Sequence, residues 1–193
     1  MADKSAHKAK IRARILDEAA GAIRVQGVQG VSVADLMKRA GLTHGGFYAY
    51  FSSRDDLVAQ AVDRMFEDNR AMLSRFLENS APDLGGLIDY YLSDGAYHMI
   101  ERACPIPPLA GEVSRMPGAV RDRFEQGISR FRDALAGAFE ILGYPQSEAL
   151  ASSVLAELVG SVTLARSMAQ ETAALAYLEA SRLRLKARLG LPG

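Results

Sequence analysis

The stretch that decides the fold is VSVADLMKRAGLTHGGFYAYFSSRDDL, from Val31 to Leu57. Ser32 is a good helix N-cap residue, and Asp35 lies three positions later, where its side chain can reach back to the cap. Apolar residues then recur at helical spacing up to Ala40. Gly41 follows at the position where a left-handed residue ends a helix, since glycine adopts a positive φ without a Cβ clash. The pattern predicts a short helix followed by a tight turn.

A second short helix is predicted from His44 to Tyr50, with Thr43 as its N-cap. Two helices joined in this way form a helix-turn-helix, whose second helix enters the major groove of DNA. Gly45 and Gly46 each cost a helix about 1 kcal/mol relative to alanine. We interpret them as positions where the backbone approaches another surface closely, and the surface implied is DNA. An ordinary loop with core aromatics is the alternative, and it fits less well between two capped helices.

Four aromatic residues lie within five positions of this segment. Phe47 and Phe51 are four residues apart, so both are predicted to face the core. Tyr48 and Tyr50 are predicted to turn their hydroxyl groups toward DNA phosphates.

Arg54 lies in the first turn of the next helix, which Ser53 is predicted to cap. A cation there works against the helix dipole. A phosphate contact would explain its placement, and a solvated surface arginine explains it equally well on charge alone.

These residues resemble the TetR family of bacterial transcriptional regulators. The shared pattern is the turn Ala40-Gly41, a Gly-x-x-Tyr-x-x-Phe segment ending at Phe51, and the run from Ser53 to Leu57. Leu36-Met37 replaces the usual Ile-Ala pair, and Arg54 replaces the usual lysine but keeps its charge. The resemblance is strong over the first third of the chain and covers the remainder only as a helical outline.

The fold predicted is all-α, with about nine helices and no β-type alternation anywhere in the sequence. We expect a three-helix DNA-binding helix-turn-helix domain over residues 1–52, with a basic arm at 1–10. A ligand-binding and dimerisation domain is expected over residues 53–193. A helix of about 40 Å, from Ser53 to about Asn79, would link the two rigidly.

Charge is distributed unevenly along the chain. The 193 residues carry no formal net charge, yet residues 1–54 hold nine Lys/Arg against four acids and the remainder holds 14 against 19. A basic head on an acidic body is the expected footprint if the head meets phosphate. We identify no run long enough to span a membrane and no signal segment. The single cysteine, Cys104, fits a cytoplasmic protein.

The helix predicted from about Ser147 to Met168 is apolar nearly all round, so it must be buried on more than one side. The resemblance implies a homodimer with a four-helix interface, and a central helix inside a monomer is the alternative. The predicted interface residues are Ala149, Ser153, Ala156, Gly160 and Leu164.

The body is rich in methionine and aromatic residues, which suit an adaptable apolar pocket but equally an ordinary core. The resemblance implies an effector cavity there, and an apolar or aromatic small molecule is the expected ligand. The candidate pocket residues are Met65, Met72, Tyr90, Tyr91, Tyr97, Cys104, Phe124 and Phe131. Cys104, two residues from Arg102, is a candidate redox or electrophile sensor. A small buried hydrophobe is the more frequent role of a single cysteine.

Enzyme signatures are lacking in the sequence. His7, His44 and His98 are scattered, no His/Cys cluster has metal-ligand spacing, and no serine or cysteine has a motif-level base. No enzyme activity, metal or cofactor is therefore predicted.

The function predicted is that of a ligand-responsive transcriptional repressor that binds a palindromic DNA operator as a homodimer. Thr43, His44 and Gly45 are expected nearest the base edges. Ser32, Tyr48, Tyr50 and Arg54 are expected to hold phosphates, and Gly46 to allow close approach. A helical adaptor for protein partners and an activator of the same fold are the alternatives.

Overall fold

A computed structural model describes residues 2–193, and the side chains from residue 5 onward. Over this range the chain forms nine α-helices, two short 3₁₀ helices and no strand, so the all-α prediction is confirmed. The α-helices are α1 (Ala2–Gln26), α2 (Val33–Arg39), α3 (Arg54–Leu77), α4 (Leu84–Tyr91), α5 (Asp94–His98), α6 (Ile106–Val113), α7 (Gly118–Ile141), α8 (Ser147–Arg166) and α9 (Glu171–Arg188). The 3₁₀ helices are His44–Ala49 and Ile100–Arg102.

The N-terminal head consists of α1, α2, the 3₁₀ helix His44–Ala49 and the first turns of α3. Its core is apolar side chains from each element, since α1 packs on α2 and on α3. The buried members are Ile15, Ala19, Ile23, Leu36, Met37, Phe47, Phe51, Leu57 and Ala61. The segment expected as a flexible arm, residues 1–10, is instead helical from Ala2, where it continues α1.

The body is a stack of long helices in which α3 packs on α7, α7 on α8, and α8 on α9. Gly127 allows the close approach of α7 to α3, because a Cβ atom there would lie 2.3 Å from the ring of Phe66. Phe66 in turn meets Phe124 edge-on, with ring centroids 5.4 Å apart. The 24 residues of α3 span about 36 Å, so one unbroken helix joins head and body.

The segment from Ser93 to Pro117 holds α5, a 3₁₀ turn and α6. Ser93 makes α5 possible, since its hydroxyl oxygen accepts a hydrogen bond from the Ala96 N–H at 3.0 Å. Five residues are too few to show helical periodicity in a sequence.

By length and composition α8 could cross a membrane, so the expectation that no run reaches that length was wrong. Its inner face is occupied by protein: Ala151, Val154, Leu158 and Val162 are buried, and the helix packs on α7 and α9. A core helix meets the same criteria as a membrane span, and these contacts account for its apolar character.

Candidate DNA-binding surface and effector cavity

The turn of the helix-turn-helix has the predicted geometry. Ser32 caps α2, with its Oγ accepting from the Asp35 N–H at 3.1 Å. Gly41 has φ +72°, and its N–H donates to the Lys38 carbonyl at 3.0 Å. The Leu42 N–H reaches the Met37 carbonyl at 2.8 Å, which completes a Schellman C-cap. The angle between α2 and the next segment is thus fixed by local hydrogen bonds.

The recognition segment, His44–Ala49, is a 3₁₀ helix rather than the expected α-helix. Thr43 has the extended backbone of an N-cap, but its side chain makes no capping bond, so that prediction was wrong. The winding instead begins with the Gly46 N–H, which donates to the Thr43 carbonyl at 3.0 Å. Tighter i→i+3 winding is common in short pieces, and two glycines give little preference for the α form.

The four aromatic residues from Phe47 to Phe51 divide between core and surface, with Phe47 and Phe51 buried as predicted and Tyr50 packed partly against the core. Phe47 and Phe51 are buried, with stacked rings 5.6 Å apart. Tyr48 is 74 % exposed, whereas Tyr50 is half-buried with the Lys8 ammonium 6.0 Å from its ring centroid. Phe47 and Phe51 thus fix the segment against the core. The exposed residues on its other side are Thr43, His44, Gly45 and Tyr48.

The fold itself does not require glycine at either recognition position. A Cβ at Gly45 would meet nothing within 4 Å. A Cβ at Gly46 would touch the Met37 Cε at 3.7 Å and the Thr43 Oγ1 at 3.9 Å, which are ordinary van der Waals contacts. Neither residue has a positive φ. An alanine would fit at both positions, so no steric contact within the described chain accounts for the glycines.

Arg54 was expected to be free for a phosphate, but it lies half-buried against its own domain. Its Nη2 donates to the carbonyl of Val28 and to that of Val31, the latter at 3.4 Å. These bonds fix the loop between α1 and α2. A guanidinium has five N–H donors, so the remaining ones leave a phosphate contact possible.

The joint between head and body is built around the end of α1. Gly27 has φ +71°, and a Cβ there would lie 2.3 Å from the Glu112 Oε1. The Val28 N–H donates to the Glu112 Oε2 at 3.0 Å. Glu112 belongs to α6, so a body helix holds the head at this point.

A second contact between head and body is an ion-pair network on α3. Arg24 of α1 is buried, and its Nη2 lies 3.2 Å from the Asp68 Oδ2. Asp68 also pairs with Arg64 at 2.7 Å, and Arg64 pairs with Asp17 at 2.7 Å. Burial lowers the pKa of Arg24, and the carboxylate of Asp68 partly offsets this. Arg24 also donates to the Glu101 carbonyl at 3.0 Å.

Inside the body lies a cavity of about 40 Å³ between α3, α4, α6 and α8. Four of the predicted pocket residues line it: Met72, Tyr90, Tyr91 and Cys104. The other four do not, because Met65, Phe124 and Phe131 are packed into the core and Tyr97 lies outside the cavity lining. The lining residues that the sequence did not suggest are Asp68, Asn69, Ala96, Met99, Arg102, Ala103, Pro107, Val162 and Arg166.

The cavity wall contains polar groups without partners. The Tyr91 hydroxyl, the Asn69 Oδ1 and the Arg166 Nε and Nη1 are buried and lack a hydrogen-bond partner among the described residues. Arg166 is held in place by its Nη2, which donates to the Ala96 carbonyl at 2.9 Å. Burial lowers the pKa of Arg166 and raises that of Tyr91 well above its ordinary value.

Cys104 is buried at the cavity wall, and burial raises the pKa of its thiol. The Tyr91 hydroxyl and the cations Arg24 and Arg166 act in the opposite direction but do not outweigh burial. A raised pKa leaves less of the reactive thiolate at neutral pH, so the geometry favours the buried hydrophobe over the sensor.

An open cleft of about 720 Å³ adjoins the cavity and shares Asp68, Met72, Tyr90, Met99 and Arg102 with it. Five arginines and four acids line this cleft, which also reaches α1 and the end of α2. The cavity therefore opens toward the junction of head and body.

The outer faces of α8 and α9 present a surface of small and apolar residues. Leu164 is 51 % exposed and Leu183 is 44 % exposed. Around them Ala149, Ser153 and Ala156 are exposed and Gly160 is half-buried, which leaves all the predicted interface residues accessible. On α9 the exposed small residues recur at coiled-coil-like spacing: Ala173, Ala176, Ala180 and Ala187.

Comparison with known proteins identifies the class. Residues 15–61 match the family described as "Bacterial regulatory proteins, tetR family". An HTH-type transcriptional regulator of Mycobacterium tuberculosis is 30 % identical over 164 residues, 80 % of this chain and 84 % of that protein. A second HTH-type transcriptional regulator, from Lactococcus lactis, is 26 % identical over 159 residues, which cover 78 % of this chain and 81 % of that protein.

Solved structures share the fold over nearly the whole chain. The reduced form of Escherichia coli NemR superposes with a TM-score of 0.80 at 19 % identity, covering 92 % of this chain and 96 % of that one. A TetR transcriptional regulator from Chloroflexus aurantiacus gives a TM-score of 0.80 at 24 % identity, covering 95 % and 96 %. The chain belongs to the TetR family of helix-turn-helix transcriptional regulators, which are not enzymes.

Proposed function

We propose that this protein is a homodimeric, ligand-responsive transcriptional repressor of a palindromic operator. The observation that carries DNA binding is the Gly45-Gly46 pair, of which Gly45 is exposed and Gly46 half-buried, because no contact in the described chain requires glycine at either position. Close backbone approach to a DNA groove supplies the missing reason. Thr43, His44 and Gly45 would then lie nearest base edges, with Gly46 behind them.

Phosphate contacts would hold the head on the duplex. The exposed Tyr48 hydroxyl is the best placed of the four expected donors. Ser32 is exposed, but its hydroxyl already donates to the Asp35 carboxylate at 2.5 Å. Tyr50 is half-buried, and Arg54 would share its guanidinium between loop and phosphate. Such contacts fix register without reading sequence.

Dimerisation is supported by the outer face of α8 and α9. Leu164 and Leu183 are large apolar side chains surrounded by small ones, which is suited to helices of a second copy packing closely. Two helices from each subunit would form a four-helix interface. The two heads would then be held at a fixed separation, matching half-sites about one DNA turn apart or a multiple of it.

Effector binding in the body would release the DNA by changing the separation of the heads. Two connections support this. Asn69 of the cavity lies on α3, the helix that enters the head, and Pro107 of the cavity lies on α6, whose Glu112 holds Val28. An effector shifts the equilibrium only by its differential affinity for the two arrangements.

Selection of duplexes from random DNA, followed by sequencing, tests the function. A palindromic consensus is expected, and His44→Ala should change the preferred bases. Transcription from a reporter carrying the selected site should fall when the protein is present; a rise would indicate an activator. Failure to enrich any sequence over genomic competitor would refute DNA recognition and favour an adaptor role.

Sedimentation of the Leu164→Glu variant tests the dimer. A buried carboxylate at the interface should yield monomers that bind the operator weakly. Val25→Glu is the matched control, because Val25 is an equally exposed apolar residue (50 %) on α1. A wild-type protein that sediments as a monomer would contradict the proposal.

A further inference from the structure

The inner cavity has polar groups that an apolar ligand would leave unsatisfied. Tyr91 is only 6 % exposed and Asn69 only 5 %. In the described part of the chain the Asn69 Oδ1 has no hydrogen-bond partner, and the Tyr91 hydroxyl has no oxygen or nitrogen partner and faces only the Cys104 thiol. A buried polar group that is left unpaired loses its hydrogen bonds to water without replacing them. Both groups line one cavity, so a single polar ligand could satisfy them together.

Arg166 adds a positive charge to this cavity. Its Nη2 is committed to the carbonyls of Ala96 and Tyr97, whereas its Nε and Nη1 are buried without partners. No carboxylate among residues 5–193 lies within ion-pair distance of it. Asp68 lines the same cavity but is already paired with Arg24 and Arg64. Arg166 is half-buried as a residue, but a cation whose buried nitrogens lack an anion is costly, and a ligand carboxylate would compensate it.

The dimensions of the cavity limit what enters it. About 40 Å³ is enough for a few water molecules or one carboxylate group, and far below the 300 Å³ or more typical of a site that encloses a whole ligand. The rest of a ligand must therefore extend outward. Tyr90 and Met99, both exposed, stand where the cavity meets the larger cleft, beside Met72. They offer apolar surface to a tail.

We propose that the effector is a small organic acid, whose carboxylate binds Arg166 and Tyr91 while its apolar part runs out past Tyr90 and Met99. This inference rests on the proposed function, because it names the chemical class of the effector. It replaces the apolar or aromatic small molecule expected from the sequence. Asn69 completes the site, since its amide can accept from a ligand hydroxyl or, turned over, donate to the carboxylate.

Calorimetric titration with hexanoate and phenylacetate, against the uncharged hexanamide and phenylacetamide, tests this proposal. The acids should bind the wild-type protein, and the amides should bind at least about tenfold more weakly, since hydrogen bonds to a charged group are stronger than those to a neutral one. Equal binding of acids and amides, or binding of neither, would overturn the proposal.

Two variants locate the binding site. Tyr91→Phe removes a hydroxyl that faces the Cys104 thiol and has no oxygen or nitrogen partner, so folding should be preserved while acid affinity falls about tenfold. Arg166→Met should abolish acid binding, and circular dichroism checks that it still folds. Arg75→Met is the control, because Arg75 is exposed and lines only the outer cleft. Acid affinities unchanged in Tyr91→Phe would overturn the proposed contact.

Operator binding distinguishes this inference from the function on which it depends. Wild-type protein that binds its selected operator but ignores every acid would refute the acid effector and leave the DNA-binding regulator intact. Protein that binds the acids but enriches no DNA sequence would refute the DNA-binding regulator and leave the acid-binding site intact.

Discussion

The backbone N–H of Val28 donates to the Glu112 carboxylate at 3.0 Å, which ties the end of the first head helix to body helix α6. The carbonyl of the same residue accepts a hydrogen bond from Arg54 at the start of α3. Val28 is therefore held from both sides, by the two helices that also line or adjoin the inner cavity. Pro107, in the first turn of α6, lines the cavity, and Glu112, which holds Val28, lies five positions further along the same helix.

Glu112→Ala should lower the free energy of unfolding by about 1–3 kcal/mol, because it leaves the Val28 N–H without a partner. Glu112→Gln should lose much less, since its amide oxygen can still accept that bond. Urea unfolding of the three proteins measures the difference. Equal stability of the alanine and wild-type proteins would show that the joint does not depend on this bond.

Gly27→Ala provides a coupled test of the same joint. Alone it should destabilise through both a strained φ of +71° and the clash with Glu112. In a Glu112→Ala background only the φ strain remains, so the two changes should be clearly non-additive. If the two changes in the free energy of unfolding are additive, the clash between a Cβ atom at position 27 and Glu112 does not contribute to the destabilisation.

Gly45→Ala should separate folding from DNA binding. No atom of the described residues would touch the new methyl group, and alanine is about 1 kcal/mol more favourable than glycine in a helix. The melting temperature should therefore stay the same or rise, while operator affinity falls by about tenfold or more, a loss of about 1.4 kcal/mol. Fluorescence anisotropy with the selected operator measures the affinity.

Gly137→Ala in α7 is the matched control for that experiment, because a Cβ there also meets nothing within 4 Å. It should share any gain in stability and leave DNA binding unchanged. Undiminished operator affinity in Gly45→Ala would remove the main support for close backbone approach.

Arg54→Ala should reduce affinity for all DNA sequences by a similar factor and flatten the dependence of the binding constant on salt, as loss of a phosphate contact requires. It should also destabilise the head, because the bonds to Val28 and Val31 are lost. Arg54→Lys keeps the positive charge but loses the planar guanidinium group. It should therefore restore most of the salt dependence of DNA binding but less of the lost folding stability. An effect confined to particular base pairs would contradict the phosphate role.

Local chemistry made the head predictable from sequence. Gly41 follows α2 with a positive φ, which glycine adopts without steric cost, and Ser32 caps the start of the same helix. Phe47 and Phe51 were placed in the core from their spacing alone. The 3₁₀ winding of His44–Ala49 was missed because the two helix types leave nearly the same pattern over six residues.

The inner cavity was only half predictable from the sequence, because its polar groups converge from separate helices. Asn69 on α3 and Arg166 on α8 look in sequence like a polar helix position and a cation in a last turn. Only the packing of α8 against the rest of the body buries them together. The search for methionine and aromatic residues found the cavity wall at Met72 and Tyr91, but equally chose core residues such as Phe131.

Cys104 should be unreactive toward N-ethylmaleimide at pH 7 in the folded protein, because burial raises the pKa of its thiol and the thiolate is the nucleophile. Labelling followed by mass spectrometry should show a rate at least about tenfold slower than in urea, where the thiol has its ordinary pKa near 8.5. As the pH rises, the thiol of the unfolded chain loses its proton before the thiol of the folded protein does. The contribution of Cys104 to the free energy of unfolding is therefore complete below the ordinary thiol pKa and is lost as the pH rises through the raised pKa of the folded protein. Cys104→Ala should remove that alkaline loss, whereas Tyr91, with its higher starting pKa, contributes only at still higher pH. Rapid labelling at pH 7 that also releases the operator would instead establish Cys104 as a sensor.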